Sequence, residues 1–202
     1  MEMRSKLAGI EGIVGYHGIE YDCISLDYHE TGSLMEMQEM QPDYVPPIGL
    51  RLQWMTEAIR IVAACHKARV LLFDIALRNF VIANDQSLRM IDFGAAFVLP
   101  PDTDMRTAKS DELLATVKHD LLYLANALYS IATWTPYENF EGLCHNKWPA
   151  YNSFPSVEGV PLGYLIRACW TRRIGSAQEM LAYCEGHRSR RRLKSRGKAT
   201  PW

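Results

Sequence analysis

A mixed α+β domain is predicted by three observations. Phe80-Val-Ile-Ala83 and Leu88-Arg-Met-Ile91 are short apolar runs around Asn84-Asp-Gln-Ser87, four turn formers with no apolar member, which reads as a β-hairpin. Leu50 to His66 carries Met55, Ala58, Ile59 and Val62 at the i, i+3, i+4, i+7 spacing of a helix that buries one face. Val117 to Ala132 is apolar all round the helical wheel, the pattern of a helix in the middle of a domain.

The other elements follow in chain order. Gly12-Ile-Val-Gly-Tyr-His-Gly18 and Cys23-Ile-Ser-Leu-Asp27 read as two strands joined by Ile19-Glu-Tyr-Asp22. Gly32-Ser-Leu34 opens a helix, and Gln41 to Pro47 is a proline-rich loop. His66, at the end of its helix, reads as a packed histidine. Tyr164 to Trp170 is an apolar helix with Trp170 in the core. Ser176-Ala-Gln-Glu179 is a capping box that starts a last helix.

Composition narrows the classes. With 202 residues, 48% hydrophobic and 22% charged, one globular domain with a sizeable core is expected. Glu2, Arg4 and Lys6 stand where a signal peptide would begin, and Leu121 to Trp134 is too short to span a bilayer. Five scattered cysteines without a C-x-x-C pair suggest neither a disulfide framework nor a zinc site, so a reducing, cytoplasmic location is expected. Residues 187–202 hold seven Lys or Arg and no acid, leaving 15 basic against 23 acidic residues in the body. The tail reads as a solvated, disordered end, with a nuclear-localisation or polyanion patch as the alternative. The acidic body should not attract nucleic acid, which could bind only weakly and through the tail.

The hairpin poses the functional question. If Ala83 pairs with Leu88 and Phe80 with Ile91, Asn79 lies opposite Asp92 at the open end. Two hard oxygen donors there suit a Mg²⁺ that shares its remaining positions with phosphate and water. Asp74, five residues upstream of Asn79, could sit beside that ion and accept a hydroxyl proton.

Asp74-Ile-Ala-Leu-Arg-Asn79, followed across a hairpin by Asp92-Phe-Gly94, resembles the catalytic and magnesium-binding loops of the protein kinase superfamily. With Arg78 before the Asn and Ala76 two residues after the Asp, it looks most like the tyrosine-kinase version of the loop. The resemblance runs from about Gly12 to Gly186. It implies a kinase-like fold, mainly the α-helical carboxy-terminal lobe (35–186), with a remnant of the amino-terminal β-sheet and hinge (1–34). Tyr28 to Leu34 is similar to a kinase hinge. On that alignment the backbone of Asp27 and His29 would bond adenine, Leu26 would guard the back of the pocket, and Val81 would form its floor. Asp74 and Arg78 would be catalytic, and Asn79 and Asp92 would hold Mg²⁺, with Mn²⁺ a possible substitute. Asp120 would brace the backbone of the catalytic loop.

The chain departs from the family pattern as well. It contains neither the glycine-rich loop nor the strand Lys that grip ATP, and Glu2 is the only candidate for the helix Glu. Leu72-Phe73-Asp74 stands in place of His-Arg-Asp, which removes the Arg that receives a phosphorylated activation loop. Ala-Pro-Glu is missing, as is its Arg partner, whose place is taken by Ile174-Gly-Ser176. The resemblance therefore implies ATP-dependent phosphoryl transfer to a protein hydroxyl, weak or lost. The alternatives are a pseudokinase that binds a protein partner, or a chain shortened upstream of Met1 relative to an active kinase. A small-molecule phosphotransferase ranks below these. Residues 1–34 are expected to be the least protected part, because a lone hairpin is marginal in water.

Overall fold

The computed structural model describes residues 2–107, 116–139 and 148–196, with backbone alone for Glu2, Arg4 and residues 187–196. Among the described residues, six α-helices and six short strands make an α+β domain. The helices are α1 (Glu2–Leu7), α2 (Leu34–Met40), α3 (Ile48–Lys67), α4 (Val117–Thr133), α5 (Gly163–Trp170) and α6 (Ala177–Arg196). The strands are β1 (Tyr16–Glu20), β2 (Cys23–Leu26), β3 (Val70–Leu71), β4 (Phe80–Ile82), β5 (Leu88–Met90) and β6 (Phe97–Val98), paired as β1–β2, β3–β6 and β4–β5, all antiparallel.

Helix α4 is the centre. It packs against both α3 and α5, and α3 also carries α6. Leu121, Leu122, Leu124, Ala125, Leu128 and Ile131 are all buried, as the all-round apolar pattern requires. Helix α3 buries Met55, Ala58, Ile59 and Val62 completely, the expected stripe. It also grips the β4–β5 hairpin: the Trp54 indole donates to the Gln86 carbonyl at 2.7 Å, and a Glu57 carboxylate oxygen accepts from the Leu88 N–H at 2.9 Å. Helix α4 stops at Trp134, which turns left-handed at φ +57° and stacks on Trp54 at 5.9 Å.

The caps mostly follow the sequence. Ser33 caps α2 by a full capping box with Glu36. Ser176 accepts from the Glu179 N–H at 3.2 Å, while Glu179 reaches back to the Gly175 N–H at 3.1 Å. Helix α6 then carries its backbone to Arg196, ten residues into the tail that the sequence reading leaves disordered. Arg, Lys and Leu propagate a helix well once it is started.

Two registers differ from expectation. The β4–β5 hairpin pairs Ile82 with Leu88 and Phe80 with Met90, so its loop is Ala83–Ser87. Gln86 takes a left-handed conformation at φ +64° and adds one residue to the turn, which shifts the pairing by one. The β1–β2 turn is the reverse case. Tyr21 and Asp22 both have positive φ, and Glu20 pairs with Cys23, a tight two-residue turn in place of a four-residue one.

The amino-terminal segment divides in two. Residues 12–14 run beside β5: the Val14 N–H donates to the Met90 carbonyl at 3.1 Å and the Met90 N–H to the Gly12 carbonyl at 2.7 Å. Gly12 is required there, since at φ +90° a Cβ would lie 2.4 Å from the Ile61 side chain. Leu7 and Val14 are buried. The β1–β2 hairpin beyond them leaves Ile19 and Ile24, cross-strand partners, each 65% exposed. Protection should therefore split within residues 1–34. In native-state hydrogen exchange the Val14 amide should exchange roughly 100-fold or more slowly than those of β1 and β2. Equal rates would refute this division.

Candidate functional site

The loop at Asp74 is set from beneath by one buried acid. Asp120, in the first turn of α4 and fully buried, accepts from the Leu72 N–H at 2.9 Å, the Phe73 N–H at 2.8 Å and His66 Nε2 at 2.7 Å. A carboxylate with three donors can remain buried, since each lone-pair direction it uses is answered. The bracing role expected of Asp120 is met by this geometry, and His66 is a packed histidine as its position suggested.

Above that brace, Asp74 is partly exposed, and a short 3₁₀ turn, Leu77–Asn79, brings its partners round. Arg78 Nη2 lies 2.5 Å from Asp74 Oδ1, and Asn79 Nδ2 donates at 3.0 Å to both Asp74 Oδ2 and the Asp74 carbonyl. Arg78 also pairs with Glu138 at 3.7 Å. Three of the sequence-predicted residues, Asp74, Arg78 and Asn79, are thus brought together in direct contact. Asn79 is buried, and its backbone carbonyl accepts from the Ile91 N–H at 2.9 Å.

Asp92 does not lie opposite Asn79; the one-residue register shift gives that place to Ile91. Asp92 is exposed and left-handed at φ +57°, and its Oδ1 accepts from the Gly94 N–H at 3.0 Å. A hard cation here would draw on an Asn79 amide oxygen and an Asp92 carboxylate oxygen. Asn79 Nδ2 is given to Asp74, so a metal would have to be held by the amide oxygen, with the Asp92 oxygen not bonded to Gly94 beside it. Among the described residues no group of three or more His, Cys, Asp or Glu side chains forms a metal site. An Asn and one carboxylate would therefore need phosphate and water to complete a coordination shell.

The four residues predicted to hold a nucleotide fall into two groups. Val81 is buried and bridges to Ser33, and the Ile82 N–H donates to the Gly32 carbonyl at 3.0 Å, so the start of α2 is bonded to β4. Leu26, 39% exposed, belongs to the projecting hairpin. The Asp27 N–H donates to the Gly15 carbonyl at 2.8 Å, and the His29 carbonyl accepts from the Gly32 N–H at 3.0 Å. On the hinge alignment an adenine edge would have to use the other two groups, the Asp27 carbonyl and the His29 N–H. The Asp27 carboxylate is engaged by His17 Nε2 at 2.7 Å and by the Gly15 N–H at 3.1 Å. The His17 contact, chiefly, holds its pKa below the usual carboxylate value.

Two residues at the site carry no motif and were missed in the sequence. Burial pushes the Tyr123 hydroxyl up to about 12, with Asp120 and Asp74 adding to the effect, so Tyr123 lies within the field of both acids. Its i+3 spacing from Asp120 on α4 is the signal that could have found it. Glu138 follows the end of α4 and has no comparable signal. Arg78 and Glu138 also line a cavity of about 330 Å³ beside the loop, walled by Met35, Ile75, Leu77 and Ala127.

Cys23, Cys65, Cys169 and Cys184 form no disulfide among the described residues, and Cys144 lies outside them. Among the described residues no helix is long and apolar enough to cross a membrane. No known family model matches the chain.

Proposed function

We propose that this chain is a protein-kinase-like domain that transfers a phosphoryl group from ATP to a protein hydroxyl, with low activity in these 202 residues by themselves. The observation that carries the reading is the contact set at Asp74. Asp120 fixes the two amides before it, and Arg78 and Asn79 meet its two oxygens.

In this reading Asp74 orients the acceptor hydroxyl and takes its proton, and Arg78 moves from Asp74 to the transferring phosphoryl group. Asn79 and Asp92 would hold Mg²⁺, whose bound charge would offset that of the phosphate oxygens. Adenine would lie against Val81, between Leu26 and the backbone of Asp27 and His29. Without a glycine-rich loop or strand Lys, positioning falls to few groups, and a rate loss of roughly 10²-fold or more is expected.

A second reading has its own observation. Both Asp74 oxygens are engaged, so the base is occupied until Arg78 leaves, which suits a domain that binds a partner polypeptide without turnover.

MgATP or MnATP should raise the melting temperature more than ATP with chelator, and Asp92→Ala should remove the difference. An unchanged difference in the variant would exclude Asp92 as a ligand. Incorporation of γ-phosphate into a mixed peptide library, lost in Asp74→Asn, separates transfer from binding alone.

A further inference from the structure

Phe73 has a backbone conformation that a bulky residue avoids. Its φ is +56°, where Cβ crowds the neighbouring carbonyl. The conformation persists because the surroundings over-determine it. The Phe73 N–H is held by Asp120 at 2.8 Å. Its ring meets three others edge-on: Tyr123 at 5.7 Å and His119 at 6.0 Å on α4, and Phe97 of β6 at 6.3 Å.

The backbone turn explains why neighbours in sequence serve different places. Phe73 joins the rings, while the next side chain, Asp74, meets Arg78 and Asn79. The rings join three segments: the loop before Asp74, the strand that begins five residues after Asp92, and α4. Backbone bonds lie alongside, since Leu71 pairs with Phe97 and the Leu99 N–H donates to the Arg69 carbonyl at 2.8 Å. His119 is partly buried beside the Phe73 ring. Its Nδ1 accepts from the Thr116 N–H at 3.2 Å, and burial lowers its pKa. Trp148 stands 6.1 Å behind it.

We propose that Phe73 is a positioning residue, an uncharged aromatic latch that keeps the segment from Asp92 to Leu99 docked beside the Asp74 loop without a phosphate or an ion pair. The positioning role rests on the reading of Asp74 and Asp92 as one site; the docking itself does not. Edge-on ring contacts are unaffected by salt, whereas a joint made by a charged anchor weakens once the screening length falls to about 3 Å at 1 M.

The test is hydrogen exchange on the full chain, read in peptides covering residues 96–100. Protection should be the same in 0.05 M and 1 M NaCl (about 14 Å and 3 Å of screening length). Phe73→Ala should speed exchange there about tenfold or more, with α3 and α5 peptides unchanged, and Phe73→Tyr should restore the slow rate. Should Phe73→Ala fail to fold, Phe97→Ala removes the ring from the other side and is read at peptides covering Phe73 and Asp74. No acceleration in the variant that folds, or a wild-type protection that falls about tenfold in 1 M salt, would overturn the latch. The MgATP-dependent melting shift separates the two readings. Its absence in wild type counts against the phosphoryl-transfer site and leaves the latch standing. Its presence in wild type and loss in Phe73→Ala, with rescue by Phe73→Tyr, supports the positioning role.

Discussion

Replacing Asp120 by Ala is expected to cost about 3–5 kcal/mol of stability, the range for removing one partner from a buried, charge-assisted set. The variant strands three donors at once: the Leu72 and Phe73 N–H groups and His66 Nε2. None can turn to solvent, because Leu72 and His66 are buried and Phe73 is half-buried and held among rings. Against a typical domain stability of about 5–15 kcal/mol this is a large fraction. The measurement is the urea midpoint at an unchanged slope. Asp120→Asn should lie between, as its single oxygen cannot replace both carboxylate oxygens. A loss below about 1 kcal/mol in Asp120→Ala would mean that the loop before Asp74 is held by something else.

Trp170→Ala should be about as severe, again about 3–5 kcal/mol, by the loss of a large core side chain and the cavity left behind. Trp170 is 2% exposed, stacks on Phe154 at 4.9 Å, and has Tyr129 and Tyr137 at 5.4 and 5.6 Å. Its indole N–H donates to Asn126 Oδ1 at 2.9 Å, tying α5 to the polar spot of α4. Trp170→Phe separates the two contributions: it keeps a ring in the stack but leaves Asn126 Oδ1 without this donor, and should cost about 1–3 kcal/mol. Far-UV circular dichroism under urea is the suitable readout, because the chain has five tryptophans. A Trp170→Phe variant as unstable as Trp170→Ala would place the stability in the hydrogen bond instead of the stack.

How much was legible in the sequence differs by residue for physical reasons. The helices α3 and α4 were legible because a buried face of three to five turns repeats its signal many times, and no single side chain can overrule it. The packed states of His66 and Trp170 followed from their places on α3 and α5. Asp74, Arg78 and Asn79 could be grouped because one short turn brings i, i+4 and i+5 together without help from the rest of the chain. Asp92 is the contrary case. Its relation to Asn79 depends on a hairpin register, and a single left-handed residue, Gln86, moved that register by one place.

Glu138 and Phe97 reach the loop from distant points in sequence, joined to it only when the elements pack. The amino-terminal segment shows the same limit: 12–14 is pinned to Met90 by two backbone bonds that no side-chain pattern announces.

By itself, then, the sequence determined the α+β class, the central helix and the local Asp74–Asn79 constellation, since each of these is set by side-chain periodicity or by neighbours within a turn. The tertiary structure decided the hairpin register, the docking of residues 12–14 and the ring cluster around Phe73. These depend on backbone hydrogen bonds and on contacts between residues far apart in the chain, where small conformational differences at one residue are passed on to every pair beyond it.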